Sequence, residues 1–378
     1  MPDVGLFGRP RISKPLTMTL RVLVLSAGSL CAHNLLCLLA PRRDETFVIA
    51  TNSVAEAAGI YMCDAAHLTP PAADAEAYEA ALRRIIEAEA PDIVVPTRED
   101  DVVALARLKA CYHGPATLLV GSLQAAEILE DKQRTADFAE RHDLPFAPTA
   151  DTLEAARALA DRYGYPLIAK PAKGNGTREV TLLLEPAHLA AAFETAGMLV
   201  QPFLEGGVDP APYQALLRRG LPFFFSFPEP NQHAYQVVIG ADGTLSEAYI
   251  SRNTMVMGKP ERSERIWDTG LLAVGQAYAE AIRAEGWVGP FNAQFKPAAE
   301  GGWVGFELNG RFTGSSAARA LSGFDEWDAV LRGFGFEAHA RPPVETGVSV
   351  VHGILTHFPA PDGARQTLQA TGSWRRSS

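Results

Sequence analysis

The sequence predicts an α/β first half followed by an α+β second half. Three observations carry that prediction. From about Thr19 to Gly121, compact apolar strands alternate with helices, the pattern of a parallel sheet covered by helices on both faces. From about Ser122 onward, strand leads to strand across glycine-bearing turns, as in Tyr165–Leu184 and Phe291–Asn309, which is the mark of antiparallel hairpins. The 378 residues are ordinary in apolar, charged, Gly and Pro content, so a sizeable packed core is expected with no long disordered stretch.

Taken in order, Leu20–Leu25 (LRVLVL) is an apolar strand, followed by Ser26–Ser29 and an apolar helix, Leu30–Leu39. Phe47–Ala50 is a second strand. Tyr78–Ala90 has helical periodicity and good helix formers, and Pro91 stops it. Asp92–Pro96 (DIVVP) is a third strand, Asp101–Cys111 a helix and Ala116–Val120 a fourth strand. Ser26–Ser29 lacks G-x-G-x-x-G, so a dinucleotide fingerprint is not expected there.

In the second half, Glu130-Asp131-Lys132 sits in a polar helix that ends before Leu144-Pro145. Leu153–Tyr163 is a helix closed by Gly164. Tyr165–Lys170 is a strand ending in lysine, Pro171–Thr177 (PAKGNGT) a loop, and Val180–Leu184 the returning strand. A Walker loop runs from strand to helix, whereas these glycines lie at a hairpin tip. Gly174 and Gly176 let backbone N–H groups approach a phosphate closely, and Lys170 is within reach of the same oxygens. Met198–Leu204 (MLVQPFL) is a strand. Leu221–Phe227 reads as an added buried strand, its phenylalanines as core. Tyr249–Met255 continues the sheet, with Arg252 a candidate to face a site. Thr269–Arg283 and Ser315–Leu321 are helices, Glu337–Val351 returns one or two strands, and Thr371–Ser378 is a polar tail. His352 and His357 read as core or surface histidines.

The most informative stretch is Phe291–Arg311, FNAQFKPAAEGGWVGFELNGR. Side chains alternate along a strand, so Asn292, Gln294 and Lys296 share one face and Phe291, Ala293 and Phe295 the other. On the partner strand Gly305, Glu307 and Asn309 are expected opposite Val304, Phe306 and Leu308. Pro297 and Gly301-Gly302 mark the turn. An apolar face below and oxygen donors above make a platform for Mg²⁺, which prefers hard oxygen ligands and keeps positions open for phosphate. Arg311, just beyond, supplies a fixed charge for a transferring phosphoryl group.

Charge and cysteine usage set limits. A net charge of −10 argues against a general nucleic-acid binder. Cys31, Cys37, Cys63 and Cys111 show no C-x-x-C spacing and read as structural thiols of a reducing compartment. No apolar run approaches membrane-spanning length. Residues 1–18 lack an apolar signal core and are expected to form an arm. A cytoplasmic protein follows from these readings.

Gln294, then Glu307-x-Asn309-x-Arg311, then Ser315-Ser316-Ala317, resembles the metal-binding end of the ATP-grasp superfamily, in the form found in the carbamoyl phosphate synthetase large subunit. The resemblance runs in order from about Thr19 to Leu331. It implies a Rossmann-like domain over residues 19–121, then an ATP-grasp domain over residues 122–332. The lid lobe of that domain would span about 122–200, and residues 333–378 would pack on it. It further implies ATP with Mg²⁺ (or Mn²⁺ in its place) as cofactors, with Gln294, Glu307 and Asn309 holding the metal. Arg311 and Lys170 would be catalytic. Lys132, Lys170, Lys173, Gly174, Gly176, Thr177, Gln201, Phe203 and Leu204 would bind ATP, the last three at the hinge that reads adenine. Arg98, Glu99 and Asp100, after the DIVVP strand, would face the acceptor substrate.

Departures from the family pattern are specific. Ala234 stands where a ribose-binding Glu is expected, so Gln236 or the extra segment Gly206–Gln232 would have to replace it. Arg178 and Glu179 are larger than usual for the lid loop. Gly314 replaces the second Arg of the R-x-x-R segment that holds bicarbonate in carbamoyl phosphate synthetase, so that synthesis is not expected. The implied activity is ligation of a small carboxylate, activated as an acyl phosphate, to an amine or ammonia. The partners are then small molecules, with neither nucleic acid nor membrane, and a homodimer is compatible. A nucleotide- or metabolite-binding protein without catalysis, or a carboxylate-phosphorylating enzyme without an amine acceptor, is the alternative.

Overall fold

The computed structural model describes residues 19–174, 179–204, 211–219, 229–256, 258–298, 301–337, 349–351 and 363–376. The predicted strand at Leu221–Phe227 and both His352 and His357 lie outside them.

The first sheet is built from β1 (Leu20–Val24), β2 (Thr46–Asn52), β3 (Ala65–Leu68), β4 (Ile93–Val95) and β5 (Thr117–Leu118), all parallel, with β1 at its centre. Its apolar runs are buried on both faces, as the sequence required. Leu23, Ile49 and Val94 enter one core, where α2 (Ala75–Glu89) and α3 (Glu99–Lys109) pack. Val22, Val24, Val48, Ala50, Ile93 and Val95 enter the other, with α1 (Leu30–Leu39). Ser29 caps α1 and Asp74 caps α2 through their side-chain oxygens.

Helices α4 (Leu123–Glu130) and α5 (Lys132–Arg141) lead to α6 (Leu153–Tyr163) and a small antiparallel sheet in the order β7-β6-β8. Its strands are β6 (Leu167–Pro171), β7 (Thr181–Leu183) and β8 (Met198–Pro202). With α6 and α7 (Pro186–Ala192) they enclose a separate core of Ala156, Leu167, Ala169, Leu189 and Val200. The hairpin between β6 and β7 is the one read from PAKGNGT.

Helix α8 (Ala211–Arg218) precedes a large antiparallel sheet formed from β9 (Glu229–Ile239), β10 (Tyr249–Val256), β11 (Lys259–Arg265), β12 (Gly289–Pro297), β13 (Trp303–Asn309) and β14 (Ser349–Val351). The strand order is β13-β12-β9-β10-β11-β14. Helix α9 (Thr269–Ala284) covers one face, placing Leu271, Tyr278 and Ile282 against Tyr235, Phe291, Phe295 and Leu308. Over part of the other face lie α10 (Ser316–Leu321) and α11 (Glu326–Gly333), where Tyr249 Oη meets Ser322 Oγ at 2.7 Å. The junction of the first sheet with the large one is tight. Ser122 bonds the Gly286 and Glu285 carbonyls at 2.9 and 2.7 Å, and Trp287 is fully buried beside it.

The C-terminal segment departs from expectation. Strand β14 does join the large sheet, but α12 (Ala364–Thr371) and β15 (Ser373–Arg375) pack on the first unit. The stretch read as a polar tail is an edge strand antiparallel to β3. Arg375 pairs there with the Glu89 carboxylate at 2.7 Å, and Glu89 also accepts from Arg21 and meets His67.

Candidate functional site

The β12–β13 hairpin sets Asn292 opposite Asn309 and Gln294 opposite Glu307. Beyond that pair the register slips by one residue, so Phe295 faces Gly305 and Phe306 is the extra residue of a bulge. The bulge corrects the expected alternation. Gly305 lies against α9, where a Cβ would sit 2.8 Å from Tyr278 Oη, while Phe306 joins Glu307 on the site side. The Phe306 ring lies 5.9 Å from Lys170 Nζ and 6.0 Å from Lys296 Nζ. A side chain read as core is therefore a wall of the site.

Five of the expected residues, Glu99, Lys132, Gly174, Glu307 and Asn309, line one cleft, together with Leu129, Glu130, Thr135, Phe146, Phe306 and Leu308. Asp131 caps α5 and so fixes Lys132 at its first turn, from which Nζ donates to the Gly174 carbonyl at 3.1 Å. Lys170, at the end of β6, is only 6 % exposed and donates to the Phe306 carbonyl at 3.2 Å. Burial lowers its pKa to about 8; Glu307 opposes that shift and Lys132 adds to it. Lys173 turns to Glu130 at 3.1 Å on the rim. Gly176 and Thr177 lie outside the described residues.

The hinge residues are placed differently. Gln201 is buried, and its amide donates to Thr149 Oγ1 at 2.8 Å. Phe203 N–H donates to the Pro166 carbonyl at 3.4 Å. Neither of these, nor Leu204, lines the cleft. Ala234 is buried opposite Gln294. Gln236 does not replace the expected ribose carboxylate, because its amide donates to Glu326 at 2.7 Å beneath α11, within a buried network that includes Arg319. Arg252 points away from the buried Ser251 and Asn253 and pairs with Glu264 at 2.8 Å, so it does not face the site.

Arg311 is buried and tied to the first unit. Its Nε donates to Glu99 Oε1 at 2.9 Å and its Nη2 to the same oxygen. Its Nη1 reaches Cys31 Sγ at 3.2 Å and the Phe312 carbonyl at 3.0 Å. Burial opposes the charge, but Cys31, Glu99 and Glu307 outweigh it and hold the guanidinium protonated. Glu99, the first residue of α3, is thus brought to the cleft, while Arg98 pairs with Asp100 at 3.1 Å.

One organising residue was not anticipated. Asp101 is fully buried and accepts from Tyr78 Oη (2.6 Å), Ser26 Oγ (2.8 Å), Thr97 N (3.2 Å) and Arg98 N (3.1 Å). Burial raises its pKa to about 6. These bonds hold Ser26 at φ 47° and lock the β1–α1 loop to the start of α3, where Glu99 lies. The signal was present in the run Glu99-Asp100-Asp101 at a helix start, where acids serve as caps.

The oxygen set fits a hard divalent cation. Glu307 offers a carboxylate, and Gln294 and Asn309 offer amide oxygens from adjacent rungs of the hairpin. Gln294 Oε1 accepts from Gln232 Nε2 at 2.5 Å, which orients that oxygen. Asn309 is 1 % exposed with its Nδ2 unpartnered, so its amide is not committed to the fold by that atom. Among the described residues no three His, Cys, Asp or Glu side chains cluster as a metal site.

No protein-family model matches the chain. Over 198 residues it is 30 % identical to the formate-dependent phosphoribosylglycinamide formyltransferase of Bordetella bronchiseptica, covering 50 % of this chain and 46 % of the relative. The chain spans about half the length of the curated relatives it matches. Among solved structures it superposes on N5-carboxyaminoimidazole synthetase from Staphylococcus aureus complexed with ADP. The TM-score is 0.63 at 13 % identity, over 87 % of this chain and 80 % of that one. It also superposes on the biotin carboxylase–beta-gamma-ATP complex from Campylobacter jejuni, with TM-score 0.59 at 17 % identity over 85 % and 72 % of the two chains. The parallel first sheet, the small three-stranded sheet and the large antiparallel sheet, in that order, give this chain the ATP-grasp fold.

Proposed function

We propose that the chain is an ATP-dependent ligase that activates a small carboxylate as an acyl phosphate and transfers the acyl group to an amine or ammonia. The observation that carries this reading is the convergence of Lys132, Gly174, Glu307 and Asn309 in one cleft, with Lys170 and Arg311 beside it. ATP would lie between the lid hairpin and the β12–β13 platform, in a unit beginning near residue 122. Gln294, Glu307 and Asn309 would hold Mg²⁺, which would supply positive charge against the phosphates.

The chain's own residues position and neutralise. Lys170 and Lys132 bring ammonium groups to the phosphates from strand and helix, and Gly174 brings backbone. The Phe306 ring walls the cleft. A carboxylate oxygen attacks the γ-phosphorus, the bond from that phosphorus to the bridging oxygen breaks, and ADP leaves. The amine nitrogen then attacks the acyl carbon, the carbon–oxygen bond to phosphate breaks, and the nitrogen releases a proton. Arg311 stabilises the charge on the phosphoryl oxygens.

Formate, a carboxylate, stands in the name of one relative, and synthetase and carboxylase in those of the structural neighbours, which supports carboxyl activation as the chemical class. Four free cysteines support a reducing compartment, the cytoplasm, and no described helix is long and apolar enough to cross a membrane. Ala234, with Gln236 committed elsewhere, favours one second reading, a nucleotide binder without catalysis. A screen of carboxylates with hydroxylamine as trapping amine separates them. Carboxylate-dependent ADP release with hydroxamate formation is expected; ATP binding without ADP release from any carboxylate selects the binder.

A further inference from the structure

The guanidinium of Arg311 offers five N–H donors in a planar fork, and the structure directs most of them at protein. Nε and Nη2 go to Glu99 Oε1, and Nη1 goes to Cys31 Sγ and the Phe312 carbonyl. Glu99, the first residue of α3, lies 212 positions earlier in the chain, so this pair crosses from the first unit to the end of the β12–β13 hairpin. Both partners are 8 % exposed. The second carboxylate oxygen, Oε2, is buried without a partner in a residue that lines the cleft with Glu307, Asn309 and Lys132.

We infer that Glu99 is a positioning residue that competes with the transferring phosphoryl group for Arg311. The inference rests on the proposed role of Arg311 in phosphoryl transfer. A carboxylate and a phosphoryl group are both acceptors for the same fork, and one guanidinium cannot give its Nε/Nη2 edge fully to each. Arg311 therefore exchanges partners. It sits on Glu99 until a γ-phosphoryl group draws it into the cleft, and Glu99 takes it back when that group has been transferred. A nucleotide without a γ-phosphoryl group has nothing to offer at that position. Glu99 thus sets the balance between ATP and ADP affinity and favours release of ADP and phosphate after turnover.

The test is calorimetric titration of Mg·ATP and of Mg·ADP into wild type and Glu99→Gln. The substitution keeps the side-chain shape and removes the charge that competes. ATP should bind about tenfold more tightly to E99Q, the range of one charge-assisted hydrogen bond, while ADP stays within about twofold. A residue that merely supports the fold would shift both nucleotides together. Equal tightening, no change, or weaker ATP binding overturns the inference. Failure of wild type to bind either nucleotide instead overturns the ATP-site reading on which it rests. If E99Q loses its cooperative unfolding transition, Glu99→Asp decides. It keeps the charge but withdraws it by one methylene, so tighter ATP at unchanged ADP supports the exchange and unchanged ATP refutes it.

Discussion

Replacing Lys170 by Met should make the protein more stable and its nucleotide site weaker. Lys170 is 6 % exposed, and burial takes its pKa from 10.5 to about 8. That difference, 10.5 − 8 = 2.5 pH units, corresponds to about 3 kcal/mol of cost for keeping the ammonium charged in the fold. Met has similar length and no charge. It also loses the hydrogen bond to the Phe306 carbonyl, worth about 1 kcal/mol. The expected net gain at pH 7 is therefore about 2 kcal/mol. The pH dependence gives the reasoning its sharper edge. Below pH 8 both folded and unfolded chains hold the proton, and the wild type bears the full cost. Between pH 8 and 10.5 the unfolded chain holds the proton and the folded chain has released it, so wild-type stability rises with pH. Urea unfolding of both proteins at pH 7 and pH 9.5 should show the advantage of Met shrinking at the higher pH. A Met variant less stable at pH 7, or an advantage equal at both pH values, refutes the reasoning. The same variant should bind Mg·ATP at least tenfold more weakly, the loss of one charged contact, which makes this lysine a site where function is kept at the expense of stability.

Other perturbations have equally definite outcomes. Arg311→Ala should lower kcat by about 10²- to 10³-fold while ATP affinity changes only a few-fold, because part of any gain from that contact is spent in leaving Glu99; full steady-state activity would remove Arg311 from the mechanism. Glu307→Gln leaves three amide oxygens and no carboxylate in the metal set, so the Mg²⁺ dependence of ATP binding should largely disappear in a metal titration. Unchanged dependence would place the metal elsewhere. Gly310→Ala puts a Cβ 2.5 Å from the Trp287 ring and 2.7 Å from Leu129, an overpacking that should cost about 1–3 kcal/mol. A thermal melt indistinguishable from wild type would show that this junction can yield.

Much of this architecture was legible because it is local. The β1 run LRVLVL, its partner DIVVP and the Gly301-Gly302 turn each announce themselves within a few residues, and the shared facing of Asn292 with Gln294 and of Glu307 with Asn309 follows from strand alternation, whereas the rungs that pair them come from the fold. The bulge at Phe306 was not legible, since one extra residue reverses the facing of a strand without altering its composition. Strand β3, Ala-Ala-His-Leu, lacks the β-branched residues that mark a strand. Strand β15 exists because β3 offers it an edge some three hundred residues away in sequence and Glu89 offers it a counter-ion. The pairing of Arg311 with Glu99 and the burial of Gln236 on Glu326 are likewise products of packing.

The most direct measurement is calorimetric titration of ATP into the wild-type protein with and without Mg²⁺, repeated on Glu307→Ala. Binding that requires Mg²⁺ in the wild type and is lost in the variant is the expected result, and would place the nucleotide on the β12–β13 platform. Absence of ATP binding under both conditions would contradict the central claim and make Ala234, in place of a ribose-binding carboxylate, the decisive feature of the chain.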